Sequence, residues 1–167
     1  MATKPPAAPA SAAPCTQPEA ASAWPQVLAL YPALCGAWPS TGQPGADSAP
    51  PPLALPVMQV PEGTTLFREH AACQGFPLVL DGEVRVSRSA SNGRELELYR
   101  VLPGEMCLVS SACLFAGQVF TARGITTRPT RLSMLPPALF RAALASEPFR
   151  DFVMGLFAAR MADLTAL

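Results

Sequence analysis

The feature that most constrains this chain is an alternating run and its answer across a tight turn. In Asp81-Gly82-Glu83-Val84-Arg85-Val86-Ser87-Arg88 the two valines interleave with charged and polar residues. A period of two turns one face of a strand to a core and the other to water. Ser91-Asn92-Gly93 follows, and Asn-Gly tolerates the positive φ that tight hairpin turns need. Residues 94–102 form the return strand, with Leu96 and Leu98 set between Glu95, Glu97 and Arg100. The stretch 76–124 therefore reads as the middle of a small antiparallel barrel.

The chain around it continues the pattern. Val57-Met58-Gln59-Val60 is a strand, Pro61-Glu62-Gly63 a turn, residues 64–68 a second strand and residues 69–75 a loop. Pro103-Gly104 turns the chain again. Residues 110–115 suit a short helix, with serine as N-cap and Gly117 as its stop. Residues 119–126 and 130–135 supply later strands, with Arg128-Pro129 between them. Beyond Pro136-Pro137 the period becomes helical: Leu139, Phe140, Ala143 and Leu144 share one face of a helix over 138–146, which Glu147-Pro148 ends. In residues 149–167 one stripe holds Phe149, Phe152, Leu156 and Ala159, and a second holds Val153, Phe157, Met161 and Leu164. An apolar arc about half the circumference wide exceeds what a helix covering only its own core needs. This helix is expected to have a second partner.

The flanks differ in kind. Residues 1–23 are almost all Ala, Pro and Ser, which cannot bury enough surface to offset the entropy of ordering, so a disordered leader is expected. Residues 24–38 are apolar, a short helix interrupted at Pro32 or a segment packed on the barrel; residues 39–56, with Pro50-Pro51-Pro52, complete a partly helical segment and Pro-rich linker. The formal net charge is zero, which argues against nucleic-acid binding by this stretch alone, since phosphate contacts need clustered Lys and Arg. The 20 prolines interrupt every apolar run well short of a bilayer span. Lys4 followed by Pro5, Pro6, Pro9 and Pro14 makes no secretory signal. Five scattered cysteines fit reduced thiols in a cytosol, and a cytoplasmic protein is expected. One histidine is too few for a metalloenzyme of the cupin type, and no enzyme is expected.

The residues also carry a family resemblance. Leu-Asp-Gly-Glu-Val-Arg-Val, Asn-Gly-Arg-Glu, Pro-Gly-Glu, Leu-Phe-x-Gly-Gln and Thr-Ala, in that order over residues 61–167, resemble the effector-binding domain of the Crp/Fnr family of bacterial transcription regulators, relatives of the cyclic-AMP receptor protein. The fold implied is mainly β with α: an antiparallel jelly-roll barrel of the cyclic-nucleotide-binding kind over 57–147, closed by a short helix and a dimerisation helix over 148–167. The resemblance implies a homodimer through Val153, Leu156, Phe157, Met161 and Leu164, leading into a helix-turn-helix DNA-binding domain that this sequence does not contain. DNA contact would come only through that domain, and no membrane is implied. Such a domain works allosterically, an event near the short helix resetting the long ones. A stand-alone binding or scaffold domain is the alternative.

The resemblance also locates a pocket and puts its usual ligand in doubt. Members that bind cyclic nucleotides carry a second Gly-Glu whose carboxylate holds the ribose, and Arg-(Ser/Thr)-Ala whose guanidinium forks the phosphate. Aligned on Leu114-Phe115 and Gln118, the Gly-Glu positions hold Ser110 and Ser111 and the Arg position holds Phe120, while Thr121 and Ala122 are kept. Gly104-Glu105 matches the first Gly-Glu and reads as a turn. Ser110, Ser111, Phe120 and Thr121 thus outline a degenerate pocket, the serines either capping a helix or holding an anionic effector at its N-terminus. Cys73, Cys107 and Cys113, with His70 near Cys73, form a second candidate set. They are buried small hydrophobes, or thiols lowered in pKa by helix amides and open to redox, metal or haem chemistry. Cys15 and Cys35 do not form the tight N-terminal cluster of the iron–sulfur members. The residues fix no cofactor; a small-molecule effector, haem and metal are the candidates.

Overall fold

A computed structural model describes residues 24–38, 55–90 and 93–165. The expected disordered leader, most of the expected linker, Cys15 and the Ser91-Asn92 turn lie outside the described residues, as do the side chains of Arg160 and of residues 163–165, Leu164 among them. All the described strands pair antiparallel, in two sheets. One has the order β1 (Val57–Val60), β7 (Thr130–Leu135), β3 (Phe76–Asp81); the other has β2 (Thr65–Phe67), β6 (Arg123–Thr126), β4 (Val84–Ser89), β5 (Glu95–Val101). The fold is of the jelly-roll type, although the sheets face each other without closing into the barrel expected from the sequence.

β3 is the middle layer, buried over its whole length except Asp81. Its alternate residues serve two cores. Val79 packs with Val84, Val86, Val101 and Phe67 between the sheets, while Phe76, Leu78 and Leu80 pack under the helices. That is why the run reads as continuously apolar rather than alternating. In β5 only one parity can face inward. Val101 and half-buried Tyr99 do so, opposite Val84 and Val86. Leu96 and Leu98, expected as the return strand's apolar face, have the other parity and are 60% and 40% exposed.

The helices form the third layer: α1 (Trp24–Leu30) with a 3-10 turn at Pro32–Leu34, α2 (Leu108–Ala116), α3 (Pro137–Ala143) and α4 (Glu147–Thr165). Glu147-Pro148 begins α4 instead of ending α3. Proline in a first turn lacks only an N–H that has no helical partner anyway. Phe140 is the hub, stacked on Phe76 with centroids 5.3 Å apart and edge-on to Phe149 at 5.7 Å. Val27, Tyr31, Leu34 and Ala37 fill the same core. Tyr31 Oη donates into the carbonyls of Val79 and Glu105 at 3.0 and 3.1 Å, and Trp38 Nε1 donates to Leu139 O at 3.2 Å. The second partner expected for α4 is thus supplied in part by residues 24–38 of its own chain. Among the described residues no helix is long and apolar enough to cross a membrane.

Candidate functional site

The short helix expected to carry the pocket is packed into its own protein. α2 starts at Leu108, with Cys107 rather than a serine at the N-cap position and no side-chain cap. Ser110 and Ser111 are therefore not caps. They sit inside the helix, both fully buried. Ser111 Oγ donates back to the Cys107 carbonyl at 3.1 Å, while Ser110 Oγ has no hydrogen-bond partner among the described residues. The amide that an anion would need is engaged too, since Val109 N–H donates to Tyr99 Oη at 2.9 Å. The helix stops where expected, at Gly117, in the left-handed region at φ 62°.

Phe120, at the position where the resembled family places arginine, is buried and stacks on Phe67, centroids 4.6 Å apart and planes 20° from parallel. Phe67 is pressed in turn against Gly124, where a Cβ would come within 2.4 Å of the ring. Thr121 is exposed. Arg123 is committed elsewhere: its guanidinium pairs with Glu95 and lies against the Ser87 hydroxyl. The Ser87 hydroxyl, and after it Arg123, hold the Glu95 carboxyl below the usual carboxylate range. Arg123 therefore does not take up the place of Phe120.

The three candidate cysteines are brought together. Cys107 and Cys113 belong to the core between the sheets, and half-buried Cys73 packs against it. The Cys113 thiol donates to Gln118 O at 2.7 Å and the Cys73 thiol to Gly75 O at 3.6 Å. Burial pushes Cys113 up to about 11, with Cys73 adding to the rise, and burial likewise raises Cys107. At Cys107, desolvation of the thiolate outweighs the hydrogen bonds from the Ser110 amide and the Tyr99 hydroxyl. His70 is exposed at φ 64°, its backbone N–H bonded to Phe120 O. Among the described residues no three His, Cys, Asp or Glu side chains are grouped to hold a metal ion.

On α4, Val153 is fully buried in the core of its own chain, and Leu156 and Phe157 are half-buried against that core. Met161 is 61% exposed, as Met154 is at 46%. Sequence reasoning missed Tyr99, the ligand of the helix amide, and Phe67, the stacking partner of Phe120. A Leu-Phe strand and a lone tyrosine carry no signal of what lies opposite them. It also missed a cleft of about 560 Å³ bordered by Met58, Val60, Leu66, Phe67, Met134 and Phe120.

Residues 57–147 match the family described as the cyclic nucleotide-binding domain. No curated protein matches the chain. Among solved structures, the chain is similar to a protein from Eubacterium rectale assigned to the Crp/Fnr family of transcriptional regulators, with 27% identity and a TM-score of 0.57 over 65% of this chain and 51% of that one. It is also similar to the catabolite activator protein of Thermus thermophilus, with 25% identity and a TM-score of 0.56 over 66% of this chain and 52% of that one. The sensor domain of the transcriptional regulator DNR from Pseudomonas aeruginosa shares the fold, with 17% identity and a TM-score of 0.54 over 66% of this chain and 73% of that domain. The chain spans about half the length of the first two proteins. With a family match over more than half of its 167 residues, and the short motifs and two-sheet architecture that go with it, the chain belongs to the cyclic nucleotide-binding domain family and is a Crp/Fnr-like effector domain.

Proposed function

We propose that this domain is the sensing and dimerising part of a cytoplasmic Crp/Fnr-like transcription regulator whose nucleotide site no longer takes a cyclic nucleotide. The observation that carries the reading is Phe120, buried and stacked on Phe67 at the position of the phosphate-clamping guanidinium. A ring there supplies no donor, and an unclamped phosphate next to it would lose its hydration without compensation. DNA would be contacted by a domain outside this sequence.

A route from sensor to output is available. Phe115 of α2 lies edge-on to Phe140 of α3 at 5.8 Å and to Phe157 of α4 at 6.0 Å. A shift of α2 is thereby felt directly by the helix that, in this reading, pairs with its twin. Calorimetric titration with cyclic AMP tests the proposal: no heat of binding is expected up to millimolar ligand, and saturable micromolar binding overturns it.

One observation favours a second signal in the same domain. Cys73 and Cys113 both pack at the core between the sheets, near enough for Cys73 to add to the rise of the Cys113 thiol, so a peroxide can take two electrons from the pair. The two S–H protons and the peroxide leave as two waters, and an S–S bond forms between loop 69–75 and α2. Peptide mapping after mild peroxide is expected to find the Cys73–Cys113 linkage. A peptide map in which both thiols stay reduced rules this signal out.

A further inference from the structure

We propose that the cleft between the two sheets is a binding site for an amphipathic carboxylic acid, its aliphatic body held by Met58, Met134, Phe67 and Phe120 and its carboxylate by Arg68. The inference rests on the reading that the domain senses something other than a cyclic nucleotide, and it names the class of effector.

The cleft measures about 560 Å³, within the ordinary size of small-ligand sites. It is distinct from the pocket expected from the sequence, sharing only Phe120 with Ser110, Ser111 and Thr121. Its walls come from both sheets: Met58, Val60 and Met134 from one, Leu66 and Phe67 from the other. Two thioethers make such a wall adaptable to an irregular chain. Phe67 and Phe120 each give one aromatic face to their mutual stack, and Phe67 is also crowded by Gly124. An aliphatic body packing on ring edges therefore suits the site better than a stacked base.

The polar groups at the cleft are few. Arg68 is exposed where the cleft meets a polar notch formed with Glu69, Ser89 and Arg123. Among the described residues no carboxylate pairs with it. Glu69 is turned to the Ser89 amide, and Arg123 is tied to Glu95. One unpaired guanidinium fork at the edge of an apolar cleft matches one carboxylate on an apolar chain. Met58, at 38% exposure, leaves the cleft open to entry.

The test is calorimetric titration of the full chain with decanoate below its micellar concentration, with decan-1-ol and cyclic AMP as separate titrants. Saturable one-to-one binding of decanoate is expected. Arg68→Ala should weaken it about tenfold while leaving decanol unchanged, and Met58→Glu, at a position exposed enough to keep the fold, should weaken both. The proposal is overturned if wild type gives no saturable decanoate heat, or if Arg68→Ala or Met58→Glu binds decanoate as wild type does. The cyclic AMP titration keeps the two readings separate: its outcome tests the loss of nucleotide binding and leaves the decanoate result standing on its own.

Discussion

The ring of Phe67 has two close neighbours, the stacked ring of Phe120 and the Gly124 position, which has no room for a side chain. The contact with Gly124 has no slack, because a methyl there would overlap the ring. Gly124→Ala is expected to push Phe67 off Phe120 and lower stability by about 1–3 kcal/mol. Phe120→Ala, which empties the stack, should lower it by about 3–5 kcal/mol. Urea midpoints decide this; an unchanged midpoint for Gly124→Ala would mean that the stack is loosely held. Phe120→Arg is expected not to restore cyclic AMP binding, because Ser110 and Ser111 remain buried and present no ribose-binding group.

Tyr31 fastens residues 24–38 to β3 and to the turn at Glu105 through one hydroxyl. Tyr31→Phe leaves those carbonyls without that donor and should lower stability by about 1–3 kcal/mol. The effect has a pH signature. Burial raises the Tyr31 hydroxyl above its ordinary value of 10.0. Below that value folded and unfolded chains both keep the proton, so the contribution of the hydroxyl is complete. As pH rises beyond it the unfolded chain releases the proton first, and stability falls. Wild type should lose stability above about pH 10 more steeply than Tyr31→Phe. Parallel alkaline unfolding curves would show that Tyr31 is not the group responsible.

Much of the fold was legible in the residues, and what was not has identifiable causes. Val84 and Val86, the Pro61-Glu62-Gly63 turn, Gly117 and the switch to a helical period after Pro136-Pro137 each state a local conformation, and local conformation is what sequence periodicity encodes. Parity misled at Leu96 and Leu98 because ELELYRV offers two apolar sets, and only the facing strand decides between them. Ser110 and Ser111 resembled caps because Cys107, a poor capping residue, takes the N-cap position. The stripe on α4 was read correctly as apolar, yet what covers part of it is a segment more than a hundred residues away in the chain. The cleft was not legible, since its walls come from both sheets.

The thiols give an independent check on burial. Cys35 is exposed, whereas Cys107 and Cys113 are 1% and 5% exposed and both are raised by desolvation. At neutral pH the two buried groups are thiols rather than thiolates, and the thiolate is the nucleophile. Alkylation of the native protein is expected to label Cys35 first and Cys107 and Cys113 at least tenfold more slowly, with Cys113 accelerating as pH approaches 11. Equal rates at pH 7 would contradict the buried placement of α2. Tryptic mapping of timed samples distinguishes the sites.

On α4 the sequence stripe and the exposed face have only Met161 in common. Val153 points into its own core with no exposed surface, whereas Met154, Ala158 and Met161 lie on the face left to solvent, at the i, i+4, i+7 spacing of a helix seam. A charge at Val153 would be buried without a partner, so Val153→Glu is expected to unfold the domain itself. A charge at Met154 or Met161 starts in water and should leave the fold intact. If α4 pairs with its twin, the pairing surface is this methionine face. The double variant Met154→Glu, Met161→Glu should retain the wild-type circular dichroism and melting behaviour while its mass by light scattering falls from dimer to monomer. A dimer that persists in that variant places the subunit contact on another surface. A monomeric wild type removes it altogether.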